Sequence, residues 1–354
     1  MTSFARRHLL GAATLAWAGS APALPARKLV FPRDHGAHPD LRTEWWYLTG
    51  ALSAGAREFG FQITFFRTRV PGTAALQSRL AARQLVFAHL AVTDVQGRRL
   101  WHDQRMAREG FGVARLDTKD TDAALDGWSL TRTASGYRTA AQAAGFGFEL
   151  EMSTTQPLLL QGDQGLSRKG PLPRQASYYY SQPQLRTGGV LTLEGKRLDV
   201  KGLAWLDHEW SESLLDPQAV GWDWIGMNLD DGSALTAFRL RRRDGSTLFS
   251  GGSFRATTSR GLQTFIASPG EVEFSAQRRW TSPRTRANYP VEWIVRTPAD
   301  FYTVRALVDD QELDSQASTG TVYWEGLSDL FDSNGRRVGR GYLEMTGYAR
   351  PLVL

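Results

Sequence analysis

The chain has 354 residues, 42% of them hydrophobic and 22% charged, a balance that supports sizeable cores and excludes a disordered polymer. It contains no cysteine, which removes disulfides, thiolate metal sites, a cysteine nucleophile and a lipoprotein anchor. The formal charge of +6 is mild and the densest basic cluster, Arg239-Leu-Arg-Arg-Arg-Asp-Gly245, reads as the solvated end of a strand entering a turn, so no nucleic-acid partner is expected.

The first residues differ from the rest. Arg6-Arg7 stand before a short apolar run, Leu9 to Ala18, and Ala21-Pro-Ala23 offers a small-x-small cleavage site. The run is too short to span a bilayer, and its order of basic, apolar and small residues is that of an export signal over residues 1–23. The paired arginines point to the twin-arginine route, and so to a periplasmic or secreted protein.

Beyond the signal, helical periodicity is scarce. The 12 Trp, 17 Phe and 10 Tyr lie in short alternating runs, and aromatic residues favour strands. Turn pairs recur at Ala54-Gly55, Gln96-Gly97, Ser135-Gly136, Glu194-Gly195, Asp231-Gly232, Asp244-Gly245 and Asn334-Gly335. Regular short strands with such turns predict an all-β, antiparallel sandwich or barrel. His35-Gly-Ala-His-Pro39 precedes the first strand; the segment could fold over a barrel mouth, although histidines in such a place are more often on the surface. Glu44, directly before Trp45-Trp46, needs a cation such as Arg67 or Arg239 if it is buried. His89, amid apolar residues, reads as a core or pocket-wall histidine.

The two halves repeat one another in three blocks. Glu44-Trp-Trp-Tyr-Leu-Thr-Gly-Ala-Leu52 followed by Phe61-Gln-Ile-Thr-Phe-Phe-Arg67 corresponds to Trp222-Asp-Trp-Ile-Gly-Met-Asn-Leu229 followed by Ala234-Leu-Thr-Ala-Phe-Arg239. Gly147 to Met152 is set against Val291 to Val295, and Tyr178-Tyr-Tyr-Ser181 with Gly202 to Glu209 against Val322 to Gly326 with Gly341 to Gly347. Two copies of one β-module follow, over residues 24–212 and 213–354, joined near Ser213 to Ala219. In the second copy the last strand ends quietly, whereas in the first it becomes Trp205-Leu-Asp-His-Glu-Trp210. On a strand Trp205, Asp207 and Glu209 share one face and Leu206, His208 and Trp210 the other. Such a cluster at the join of two copies marks a site between domains.

Thr43 to Gly50, Gln156 to Gly162, Tyr178 to Ser181, Gly202 to Trp210, Gly221 to Trp224 and Gly341 to Gly347 together resemble the AttH and carotenoid 1,2-hydratase family, whose members are often labelled predicted secreted hydrolases. The resemblance covers nearly the whole chain after the signal. It implies two tandem lipocalin-like, calycin-type antiparallel β-barrels. It also implies a lipophilic ligand, isoprenoid or acyl, near the domain junction, because an eight-stranded barrel holds one small molecule. Hydration of an alkene needs an acid, aromatic faces for the cation and a base for water. Asp207, His208 and Glu209 are the candidate catalytic groups; Glu44, Trp46, Trp205, Trp210, Trp222, Asp223 and Trp224 are the candidate ligand-binding residues. His208 and Trp210 fall on the family's His-x-Trp. The Tyr-x-Asp that the hydratases carry on the following strand is absent, that strand reading Leu235-Thr-Ala-Phe-Arg-Leu240.

A hydrolase would need a nucleophile or a metal. No Gly-x-Ser-x-Gly elbow occurs, and His208-Glu-Trp-Ser-Glu212 lacks the second histidine of a metalloprotease helix. No metal or other cofactor is assigned, although His208 with Asp207, Glu209, His35 or Glu44 contains ligand types. Two functions stand side by side: a hydratase- or hydrolase-type enzyme, and a non-enzymatic periplasmic lipid carrier or chaperone working with an ABC-type export complex in the inner membrane.

Overall fold

The computed structural model describes residues 23–73, 76–78, 80–213 and 215–352. The basic and apolar run read as an export signal lies outside these residues. Among them the chain is all-β, with two large antiparallel sheets and one short 3-10 turn, Arg33–His35. The first sheet orders its strands Arg99–Arg108, Gln84–Asp94, Arg57–Arg69, Thr43–Ala54, Lys196–Ser213, Ala176–Leu193, Phe146–Ser153, Gly136–Ala143, Trp128–Arg132, Asp122–Leu125 and Ala114–Leu116. The second runs Gly261–Ala267, Thr247–Thr258, Ala234–Arg241, Gly221–Leu229, Arg337–Met345, Thr321–Phe331, Phe301–Ala306, Glu292–Arg296 and Glu273–Ala276. In both, the first strand of the copy lies beside its last, so each sheet curls into a lipocalin-like barrel by the same topology.

Each barrel has its own apolar interior. Leu48, Phe61, Ile63, Phe65, Leu90 and Leu206 belong to the first; Ile225, Met227, Leu235, Trp293, Val304 and Leu343 belong to the second. A third cluster, around Tyr47, Trp205, Trp224, Phe238, Leu327 and Tyr342, draws residues from both and forms the seam. There Thr43–Ala54 packs on Arg337–Met345 while Lys196–Ser213 packs on Gly221–Leu229. First strand meets last strand both ways, so the seam has an approximate two-fold arrangement.

The seam is also clasped by polar groups. Register shifts in Ala176–Leu193 between Gln182 and Leu185, where Gln184 takes a φ of 56°. That bulge lets the Gln184 backbone N–H donate to Asn228 Oδ1 at 2.8 Å, and its Nε2 donate to the Leu229 and Ser233 carbonyls at 2.9 Å each. Asn228 Nδ2 donates back to the Ala204 carbonyl at 3.0 Å.

Candidate functional site

The strand Lys196–Ser213 divides the central cluster between two compartments, as a period of two requires. Across its inner face, Glu44 pairs in register with Trp210 and Tyr178, and Trp46 with His208 and Tyr180. On its outer face, Trp45 pairs with Glu209 and Tyr179, and Tyr47 with Asp207 and Ser181.

The inner face holds an ion network whose centre, Glu44 with Arg67 and His208, is fully buried. Glu44 Oε1 accepts His38 Nδ1 at 2.7 Å and His208 Nε2 at 2.9 Å; Oε2 accepts the His38 backbone N–H at 2.8 Å and Arg67 Nε at 2.9 Å. His38 Nε2 donates to Asp34 at 3.0 Å, and Asp34 is gripped by Arg27 at 2.8 and 3.0 Å. The Tyr180 hydroxyl lies 2.8 Å from His35 Nδ1 and 3.2 Å from His208 Nδ1. Because His208 donates to Glu44 through Nε2, its Nδ1 accepts from Tyr180, and His35 donates to the Tyr180 oxygen. Trp46 stacks on His208 and Trp210 on His38, with centroids 4.5 and 4.0 Å apart. Burial pushes His208 and His35 down to about 4, so both are neutral near pH 7. Burial alone would raise Glu44, but hydrogen bonds from His208 and His38 outweigh it and hold the carboxylate well below its usual range.

His38, Glu44 and His208 bring one ligand atom each within 4.8 Å of one another. Proximity favours a metal; the surroundings do not. Each Glu44 oxygen already takes two N–H donors, one from the Arg67 guanidinium, so the trio serves as the lock that ties the N-terminal segment into the first barrel. His35 and His38 are therefore buried and not on the surface, because the segment does fold over the barrel mouth and meets a carboxylate there.

The outer face opens on a cavity of about 130 Å³ at the seam. The first barrel contributes Trp45, Tyr47, Lys169, Tyr179, Asp207 and Glu209; the second contributes Trp222, Trp224, Phe238, Tyr323, Glu325 and Glu344. The approximate two-fold places the row Trp45–Glu209–Tyr179 opposite the row Trp224–Glu344–Glu325. An adjoining vestibule of about 470 Å³ shares Thr43, Phe66, Leu215, Trp222, Tyr323 and Glu344 and carries Glu212 and Asp216 on its wall.

The carboxyls of the cavity differ in their surroundings. Asp207 accepts Trp205 Nε1 and the Tyr179 hydroxyl at 2.8 Å each, together with the Ser181 hydroxyl. Burial nonetheless dominates and pushes Asp207 up to about 7. Glu209 pairs with Lys169 at 3.0 Å and accepts the Ser177 hydroxyl. The Lys169 ammonium in turn lies 4.5 Å from the Tyr179 ring centre and 4.3 Å from that of Phe238. Glu344 accepts Trp222 Nε1 at 3.0 Å and is pushed up by burial to about 7. Glu325 is raised well above the usual range, by burial first and by Glu344 next.

The structure thus separates residues that the sequence places side by side. Asp207, Glu209, Trp222 and Trp224 line the cavity, and Trp205 supports Asp207 from within the seam. His208, Glu44, Trp46 and Trp210 face the first barrel's interior, so His208 cannot share a reacting atom with Asp207 and Glu209. Asp223 lies inside the second barrel, where it accepts Arg239 Nε at 2.7 Å and the Tyr348 hydroxyl at 2.9 Å, with Arg241 Nε at 3.1 Å. It repeats the Glu44–Arg67 lock and does not line the cavity; two arginines of the basic cluster are consequently buried. Sequence reasoning missed Lys169, Tyr179, Glu325 and Glu344. The signal for the last two was available: acids at apolar positions of the strands Thr321–Phe331 and Arg337–Met345.

Two lipocalin-like barrels fused through an acid- and aromatic-lined seam define the class: a tandem-barrel protein with its cavity between the copies. The model of the AttH-like family matches residues 22–348, and the chain belongs to that family. The AttH-type protein NE1406 from Nitrosomonas europaea is 46% identical and superposes with a TM-score of 0.85, over 93% of this chain and 100% of that one. Kievitone hydratase from Nectria haematococca shares the fold at 14% identity, TM-score 0.65, over 87% and 89% of the two chains. CghA, in its complex with Sch210972, does so at 12% identity and a TM-score of 0.52, over 88% and 89%. No curated protein matches the chain in sequence.

Proposed function

We propose that this AttH-like protein takes a lipophilic small molecule into the seam cavity and acts on it by hydratase-type acid–base chemistry. What supports this is a single arrangement: in one aromatic-walled cavity, Asp207 is raised to about 7 while Glu209 is ion-paired. Two carboxyls with opposed environments divide naturally into acid and base. Asp207 gives its proton to one alkene carbon. The positive charge on the other carbon faces the Trp45 and Trp224 indoles. Water adds there and loses a proton to Glu209, and exchange with solvent restores both carboxyls, so that alkene and water become alcohol. The hydratase among the fold neighbours agrees with this reading at the level of fold alone. With residues 1–23 as an export signal, the reaction takes place outside the cytoplasm.

Native mass spectrometry of the protein purified from its own host, followed by solvent extraction, identifies the ligand. The wild type should convert it to a species heavier by one water, and Asp207→Asn should bind it unchanged. A wild type that returns the ligand unaltered makes the protein a carrier; hydration at full rate by Asp207→Asn removes Asp207 as the donor.

A further inference from the structure

Asp207 and Glu209 account for the first barrel's wall of the cavity. The facing wall carries a second acid pair, Glu325 and Glu344, directly opposed across neighbouring strands. Like charges in that position repel, and burial multiplies the cost. Glu344 has the Trp222 indole as its donor. Glu325 is 3% exposed and makes no ion pair with any described residue; the neutral Tyr47 and Tyr323 hydroxyls face it, but its Oε1 makes no hydrogen bond of good geometry. The Tyr47 hydroxyl reaches across from the first barrel's wall towards Glu325 and, like it, makes no hydrogen bond of good geometry. Among the described residues of this lining, Lys169 is the one basic side chain, and it is committed to Glu209 at 3.0 Å. Two opposed buried acids, one of them faced only by poorly aligned neutral phenols, in a cavity with more acids than cations, call for a donor that arrives with positive charge.

We propose that the cavity's ligand carries a basic nitrogen, seated as an ammonium against Glu325 and Glu344 beside Trp222 and Tyr323. This rests on the seam cavity being the ligand site. An ammonium N–H gives Glu325 Oε1 a charged, well-aligned donor where only neutral phenols face it, and the indole and phenol faces attract the charge. The proton inventory balances in either form. A neutral amine takes the proton of one glutamic acid and leaves an ammonium carboxylate; an ammonium arriving from water displaces one proton from the pair to solvent. The other titratable groups facing the pair are Tyr47, Tyr179, Asp207, Glu209 with Lys169, Tyr323 and Tyr342, with His89 behind Tyr323 at 2.8 Å.

The test is calorimetric titration of the full chain with octylamine and with 1-octanol, both below their aggregation limits, from about pH 6 to about pH 8.5. Octylamine should bind at least about tenfold more tightly than octanol near the upper limit. Its advantage should shrink towards the lower one, and its heat should vary with the buffer because protons are released. Glu325→Gln with Glu344→Gln should abolish the preference and keep octanol binding; should that variant not fold, the wild-type pH series decides, and an octylamine advantage that does not shrink towards about pH 6 overturns the proposal. Equal affinity for the two probes at every pH, or a preference that survives in the double glutamine variant, overturns the proposal while leaving the cavity as a ligand site. Failure of both probes to bind overturns the cavity reading and this inference together.

Discussion

Replacing Glu44 by Gln tests whether the inner network is a lock. The amide keeps the shape and can place its oxygen at the Oε2 position, where the His38 N–H and Arg67 Nε both need an acceptor. Its NH2 then faces His38 Nδ1 and His208 Nε2; His208 can turn acceptor by moving its proton to Nδ1. Arg67 keeps the Leu41 and His38 carbonyls and Gln84 Oε1, all within 2.9 Å. What disappears is the negative charge beside a guanidinium that is 1% exposed. Removing one partner of a buried pair costs about 3–5 kcal/mol, and the retained hydrogen bonds put this case near 3. For a unit of this size that lowers the melting temperature by roughly 6–12 °C. Urea unfolding followed by tryptophan fluorescence measures it, since Trp46 and Trp210 stack on the network. A loss below about 1 kcal/mol would show that Arg67 does not depend on Glu44, and the lock would have to be abandoned.

His208→Ala should cost about 3 kcal/mol of stability and leave octanol affinity at the seam unchanged, because the imidazole packs behind the sheet; a selective loss of binding would contradict the separation of the two faces. His35 and His208, depressed to about 4, contribute stability that is complete above their unfolded value near 6.5 and is lost as pH falls from there towards 4, so acid unfolding should begin in that window and shift down in His208→Ala. Asp207 has the opposite sign: raised to about 7 from an unfolded value near 3.8, it favours the fold most below that lower value and progressively less as pH rises to 7. Asp207→Asn should therefore flatten the fall in urea midpoint across that range, and an unchanged slope would refute the assignment. At Gly226 a methyl group would lie 2.3 Å from the Trp224 ring and 3.2 Å from Trp205. Gly226→Ala should push Trp224 into the cavity and weaken octanol binding by about tenfold or more, read by calorimetry. Changing Arg6 and Arg7 to lysine should leave the protein in the cytoplasm, as cell fractionation would show; normal export would exclude the twin-arginine route.

Much of the architecture is legible in the sequence because it is local or periodic. Alternating aromatic runs and glycine turns give the strands, and the order of three repeated blocks gives two copies. Alternation also assigns Asp207 and Glu209 to one face and His208 to the other. Which face opens on a cavity is not local. It depends on the second barrel packing against Trp205 and Tyr47, the latter edge-on to Trp224, far along the chain. For the same reason Glu325 and Glu344 show in the sequence only as acids at apolar positions of two separate strands, and only register across the sheet makes them a pair. The burial of His38 follows from a partner six residues on, Glu44, but spacing alone does not show that the intervening loop turns back over the barrel.

The position of the seam bears on how the protein matures. The first barrel has all its strands once Ser213 has been synthesised, whereas the cavity needs side chains from Thr43 through Glu344. A ribosome-bound or truncated chain can thus hold a complete first barrel and still have no cavity. The seam cavity is therefore a property of the two barrels together, available only once both have folded and packed.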